Sequence, residues 1–212
     1  MSIHPMIHDR QHNWKQKTYN DYANHYLQYF KKLKNEPIKI LEFGILEGYS
    51  VEMWEKEFPN AQIFAVDTNS QNFVYKPKRA KYIMGDLDQQ EFRNQVKQHG
   101  PWDIIIDDAS HYCDQQVTLF KEFWPQIKDQ GVYVVEDLLT SYWPKLSYAP
   151  KEQPLTGIDY LKTLVDHLNS YTDKQYEYGS RVGQPLNELD KTIYSIHFYS
   201  QIAFIFKGHK EA

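Results

Sequence analysis

Two segments decide the fold of this chain: WDIIIDDASHY at residues 102–112 and GVYVVEDLLTSYW at residues 131–143. Each is a short apolar run closed by two acids, Asp107 and Asp108 after the first, Glu136 and Asp137 after the second. His111 stands three positions past Asp108. Short runs rich in Ile and Val read as buried strands of a parallel sheet. As parallel neighbours, the two would bring their acid clusters to one sheet edge. Crowded carboxylates repel unless protons or a cation lie between them. A hard divalent cation suits such an oxygen-rich cup.

Outward from these segments the same alternation repeats. Residues 38–43 read as a strand closed by Gly44, residues 62–66 as a second ending at Asp67, and residues 81–84 as a third ending at Gly85 and Asp86. Residues 102–106 and 132–135 are the fourth and fifth. Helical stripes lie between them: Val51, Trp54 and Phe58 behind a Ser50 cap, Phe92 and Val96 before Gly100, and Val117, Phe120, Trp124 and Ile127, with Pro125 tightening the end. Residues 192–199 and 202–207, split by Ser200 and Gln201, read as a hairpin. The pattern predicts a doubly wound α/β fold: seven strands, mostly parallel, with a C-terminal antiparallel hairpin. Residues 1–36 read as a polar arm and one helix, striped by Tyr19, Tyr22, Tyr26 and Phe30. Residues 37–212 read as the main domain, with a lid-like insertion near 144–191.

Bulk properties narrow the function. With 212 residues, 41% of them hydrophobic, the chain can bury a full core. A net charge of -4 leaves no general basic surface for nucleic acid or an anionic membrane. No apolar run approaches the roughly 18 residues of a membrane span. The opening MSIHPMIHDR lacks the apolar centre of a signal peptide. The single cysteine, Cys113, fits a reducing, cytoplasmic setting. His4, His8 and His12 are spaced by four, but Pro5 interrupts them and no acid or thiol joins them, so they read as a loose polar arm.

The strand ends suggest a ligand. Gly44 and Gly48 lie between a strand and a helix, as Gly-x-x-x-Gly rather than the Gly-x-Gly-x-x-Gly of dinucleotide sites. They and Ser50 would let a ligand approach the backbone at a helix start. Glu42, just before the turn, disfavours a pyrophosphate and suits a cationic amino group. Asp67 is placed to accept from a ribose diol, and Asp86 from an adenine amino group. Ammonium, ribose and adenine together describe S-adenosylmethionine (SAM). Asp107, alternating with Asp108 on an extended chain, would face the SAM side.

IDDASH at residues 106–111 and VYVVEDLLTSYWP at residues 132–144 resemble the metal-dependent sugar O-methyltransferases of macrolide biosynthesis, the mycinamicin 2''-O-methyltransferase type, whose relatives carry the descriptions rhamnosyl O-methyltransferase and cephalosporin hydroxylase. The likeness runs from KILEFG at residue 39 to about Pro144 and resumes in SIHFYSQIAFIFKG at residue 195; the opening arm and residues 145–190 fit it poorly. It implies a Rossmann-like class I methyltransferase fold, a Mg²⁺ held by Asp108, Glu136 and Asp137, His111 as general base, and self-association. The implied substrate is a small molecule with a sugar or glycoside hydroxyl, and a vicinal diol would chelate well.

Other readings stay open on the residues alone. Asp67, Asp86, Glu136 and Asp137 also read as strand-end acids without a ligand, and His111 as a helix-cap histidine. Tyr142 and Trp143 suit a substrate ring or rim packing equally. Catechol O-methyltransferases resemble the same plan, so an aromatic diol is a second acceptor class. An NAD-dependent oxidoreductase would share the fold but lacks its glycine fingerprint. A non-catalytic SAM-binding protein would not need the acids and His111.

Overall fold

The computed structural model describes residues 22–74, 78–143, 155–170 and 186–209. The arm with His4, His8 and His12, Tyr19, and much of the lid-like region (144–154 and 171–185) lie outside them. The chain divides after Ala109 into two compact units.

In the first unit β1 (Lys39–Phe43), β2 (Gln62–Asp67), β3 (Lys81–Met84) and β4 (Trp102–Asp107) run parallel in the order β3-β2-β1-β4. Their near-continuous apolar sequences fit strands covered on both faces; Ile40, Leu41, Ile105 and Ile106 are fully buried. The order steps outward from β1 to β3, then returns to β4 on β1's other side. Connections leaving β1 and β4 therefore diverge, which opens a crevice at their carboxyl ends. The register sets Phe43 opposite both Val66 and Asp107, so the turn leaving β1 lies level with the acids of β4.

Helix α1 (Tyr22–Phe30) buries Tyr22, Ala23, Tyr26 and Phe30 at helical spacing. Tyr26 meets Trp54 of α2 (Tyr49–Glu57) edge-on, with ring centroids 5.1 Å apart. Ser50 does not cap α2. Gly48 holds the cap position at φ +88 with no side-chain bond, and Ser50 is the second helical residue. The incoming turn needs a left-handed residue there, which glycine supplies without a steric penalty. Helix α3 (Gln90–Lys97) follows β3 and buries Val96.

In the second unit α4 (Cys113–Phe123) passes into a 3₁₀ turn at Trp124–Gln126, where Pro125 ends the regular helix. Strand β5 spans Ile127–Val135, longer than the expected residues 132–135, because exposed Asp129 and Gln130 break the apolar signal after buried Ile127. β5 pairs antiparallel with β7 (Ile202–Lys207), and β7 pairs antiparallel with β6 (Ile193–Tyr199). Ser200 and Gln201 form the expected two-residue turn, with Gln201 left-handed at φ 67. Two helices complete the unit, α5 (Gly157–Leu168) and α6 (Glu188–Thr192). The seven strands, a parallel set followed by an antiparallel hairpin, make the Rossmann-like α/β architecture expected from the sequence. No described helix is long and apolar enough to cross a membrane.

A buried histidine–carboxylate contact ties α5 to α6. His167 Nδ1 lies 2.7 Å from Asp190 Oδ1, and Asp190 Oδ2 accepts from the Asn187 amide at 2.8 Å in a reciprocal capping box. Burial pushes the Asp190 carboxyl up. Bonds from Asn187, His167 and Ser170 outweigh it and hold the group below the usual carboxyl range. A depressed acid stabilises the fold above its unfolded pKa and loses that contribution as pH falls through the native value. Asp190→Asn should therefore cost about 2 kcal/mol at pH 7, the range for a hydrogen bond to a charged group. The gap to the wild type should narrow below pH 4; urea melts at pH 7 and pH 3 check both.

Candidate active site

In the first unit the candidate residues gather around the turn from β1 to α2. Gly44 sits at φ +89, and a Cβ placed on it would come 2.0 Å from the Asp108 carbonyl oxygen. Two backbone bonds hold this approach: Gly44 N–H to Val66 O at 2.8 Å and Asp108 N–H to Phe43 O at 2.9 Å. Leu46 at φ 48 and Gly48 at φ +88 continue the tight path. Glu42 is fully buried, and its Oε2 accepts from Trp54 Nε1 at 3.1 Å. A buried carboxylate beside an open glycine turn suits a cationic group, since burial of an acid is costly without one.

The other acids of this unit do more than wait for a ligand. Asp67 Oδ2 accepts from the Ile45 and Leu46 amides at 2.8 and 3.1 Å, and Oδ1 from the Thr68 amide and hydroxyl at 2.6 and 3.2 Å. That occupies the roughly four acceptor positions of a carboxylate and braces the glycine turn. The long Thr68 hydroxyl contact is the weakest of the four. Asp86, exposed, accepts from the Asp88 amide at 2.9 Å and the Gln89 side chain at 3.4 Å, fixing the turn ahead of α3. Asp107 is buried at the end of β4, and Asp108 is half-buried just beyond it.

The second unit carries the imidazole and the second acid pair. His111 Nε2 lies 3.5 Å from Asp137 Oδ2. Both residues carry left-handed backbone, φ 59 and φ 53. This conformation is uncommon outside glycine, and His and Asp tolerate it better than most. Glu136 and Asp137, adjacent in sequence, part in environment: Glu136 is 2% exposed while the Asp137 side chain keeps 30%. His111 Nδ1 is buried and has no hydrogen-bond partner among the described residues. Cys113, two positions on, is fully buried in α4. His197 packs its ring 5.2 Å from Phe206 within the hairpin.

Two residues of this unit escaped the sequence reading. Thr140, in the 3₁₀ helix Leu138–Tyr142, places its hydroxyl 3.1 Å from His111 O and 3.0 Å from Asp137 O. Gln116 Nε2 donates to the Glu136 carbonyl at 3.4 Å. Gln116 shares the buried stripe of Phe120 and Phe123, so a polar residue on an apolar helix face was the available signal. Thr140 offered less: a hydroxyl three positions past an acid is common wherever a helix begins.

Next to Asp137 a cleft of about 380 Å³ opens within the second unit, among Leu138, Tyr142, Ile158, Lys162, Phe198 and Tyr199. That volume is within the range of small-molecule sites. Tyr142 is 63% exposed.

No protein-family model matches the chain. It is 33% identical over 193 residues to the 8-demethyl-8-alpha-L-rhamnosyl tetracenomycin-C 2'-O-methyltransferase of Streptomyces olivaceus, covering 88% of this chain and 50% of that protein. It is 30% identical over 200 residues to the mycinamicin VI 2''-O-methyltransferase of Micromonospora griseorubida, covering 90% of this chain and 49% of that protein. Among solved structures, the MycE methyltransferase of the mycinamycin biosynthetic pathway, in complex with Mg and SAH, superposes with a TM-score of 0.74 at 30% identity, over 89% of this chain and 50% of that one. The resemblance to the macrolide sugar O-methyltransferases is thus borne out in the relatives, and the shared fold in the superposition. The chain spans about half the length of the curated relatives it matches.

Gly44 tests the local architecture. Gly44→Ala combines a strained φ with a backbone clash, each worth about 1–2 kcal/mol or more. A loss of about 2–4 kcal/mol in a urea melt is expected, and an unchanged midpoint would show that the turn is looser than described.

Proposed function

We propose that this chain is a SAM- and Mg²⁺-dependent O-methyltransferase acting on a hydroxyl of a sugar or glycosylated small molecule. The observation that carries the reading is the His111–Asp137 contact at 3.5 Å, made by two left-handed residues, with Asp108 only three positions before His111. The relatives lend support: they are O-methyltransferases by name, and one MycE crystal holds Mg, SAH and Mycinamycin VI.

The residues fit these roles. Glu42 holds the ammonium of SAM, and the turn through Gly44, Gly48 and Ser50 admits its amino-acid end. Asp67 accepts from the ribose, exchanging its long Thr68 contact, and Asp86 receives the adenine. Asp107 faces the same side. Asp108, Glu136 and Asp137 hold the cation, because carboxylates are its preferred ligands. SAM supplies the methyl group, and a bound dication lowers the pKa of an alcohol that otherwise ionises far above neutrality. His111 takes the hydroxyl proton during transfer, and Asp137 orients its ring. Alignment and exclusion of water are the protein's remaining tasks. The body of the acceptor lies over the cleft that starts at Leu138. The aromatic lining of that cleft keeps a catechol-like diol as the second reading.

Calorimetric titration with SAM and with NADH separates this reading from an oxidoreductase; heat with NADH alone would end it. A panel of glycosides, sugar nucleotides and catechols, followed by SAH release, identifies the acceptor. Asp108→Ala should lose at least about 100-fold in turnover, the scale of one catalytic electrostatic contact, while SAM affinity stays within about threefold. His111→Ala should lose about 10²–10⁴-fold, the usual contribution of a general base. Turnover that survives EDTA would remove the metal from the scheme.

A further inference from the structure

We infer that Thr140 is a positioning residue: it sets the spacing of His111 and Asp137 by bonding the backbones of both, its hydroxyl donating to His111 O and its amide to Asp137 O. The inference rests on the proposed roles of those two residues, and it adds a group outside the acid and histidine set. Thr140 is 3% exposed and lies three positions past Asp137. A hydroxyl that bonds back to the carbonyl three residues earlier is ordinary in a helical turn. The second acceptor is not: His111 lies 29 positions upstream, on a separate segment of the unit.

Proton counting decides between the two acceptors. A threonine hydroxyl carries one proton. The Asp137 carbonyl already receives Thr140's own N–H at 3.1 Å. The hydroxyl proton therefore adds most at His111 O, 3.1 Å away. One residue thereby grips both strained positions, its amide on Asp137 and its hydroxyl on His111. Left-handed backbone is costly for an L-residue, and a neutral hydrogen bond returns free energy of similar order. The hydroxyl is thus comparable to the strain it opposes, and other bonds share the task. Leu138 N–H donates to Gln201 O at 2.9 Å, and Tyr112 N–H to the Ser110 hydroxyl at 3.3 Å. Neither of these links the His111 segment to the Asp137 segment; Thr140 does.

Thr140→Val keeps the shape and removes the hydroxyl, and Thr140→Ser keeps the hydroxyl and removes the methyl. Two readouts avoid turnover altogether: Mn²⁺ affinity by electron paramagnetic resonance, and amide hydrogen exchange of metal-free protein at Tyr112 and Thr140. Thr140→Val should weaken Mn²⁺ binding by about 10–100-fold, the usual effect of losing a group that orients a ligand. It should speed exchange at both amides at least about tenfold while exchange in β1 and β4 is unchanged. Thr140→Ser should match the wild type in both. Wild-type values in Thr140→Val, or equal losses in Thr140→Ser, would overturn the inference. If the valine variant does not fold, Thr140→Ala against Thr140→Ser makes the same comparison. A wild-type protein that binds no Mn²⁺ would instead end the metal reading, and the exchange data then decide on Thr140 alone.

Discussion

The contact on which the candidate site depends is backbone against backbone: Gly44 pressed onto the carbonyl of Asp108. With a Cβ only 2.0 Å from that oxygen, no other residue fits without moving β1 or the end of β4. The register of the two strands makes the approach unavoidable, because Phe43 and Asp107 are paired and each chain must leave the sheet at the same level. The left-handed turn that follows carries the chain away from β4 before α2 begins. Asp67 then holds the turn from the other side through the Ile45 and Leu46 amides. The tight turn at these strand ends is thus a by-product of packing, and the acids around it give it a chemical character.

The second unit reaches a comparable result by different means. There the strained residues are not glycines, so strain must be balanced by hydrogen bonds. His111 and Asp137 both adopt conformations that cost free energy, and both sit where a metal ligand and a base are proposed. Strain gathered at a few functional residues is a recurrent feature of active sites. Among the described residues of the unit's core, Phe120 stacks on Trp124 at 5.3 Å and lies edge-on to Tyr133 at 5.2 Å. Such a core can tolerate costly residues at its rim, and Gln130 and Gln201, in the same unit, share the left-handed backbone.

Much of this was legible in the sequence. Strands β1 to β4 announced themselves as apolar runs that end in glycine or acid, and the hairpin as two β-rich runs around two residues. The acids and His111 stood out because charges rarely cluster at the ends of buried strands. What stayed hidden has physical reasons. Ser50 is a good cap by propensity, yet the cap position needed positive φ, and propensity does not report the path of the incoming turn. β5 began five residues early because Asp129 and Gln130 are solvated within a strand. Asp67's service to two backbone amides, and Thr140's reach to His111, depend on tertiary proximity that no local pattern encodes. Glu136 and Asp137 look equivalent on paper, and burial distinguishes them.

The terminal hairpin bears on how quickly the second unit can assemble. β6 and β7 close over a two-residue turn, whereas β5 must find β7 across roughly seventy residues of chain. Closure entropy rises with the length of the loop enclosed, and pairings distant in sequence slow folding. The hairpin is therefore the piece with the shortest loop to close, and β7 then offers β5 a template already half paired. The antiparallel pairing of the strand that leads to Asp137 thus waits on residues near the other end of the unit.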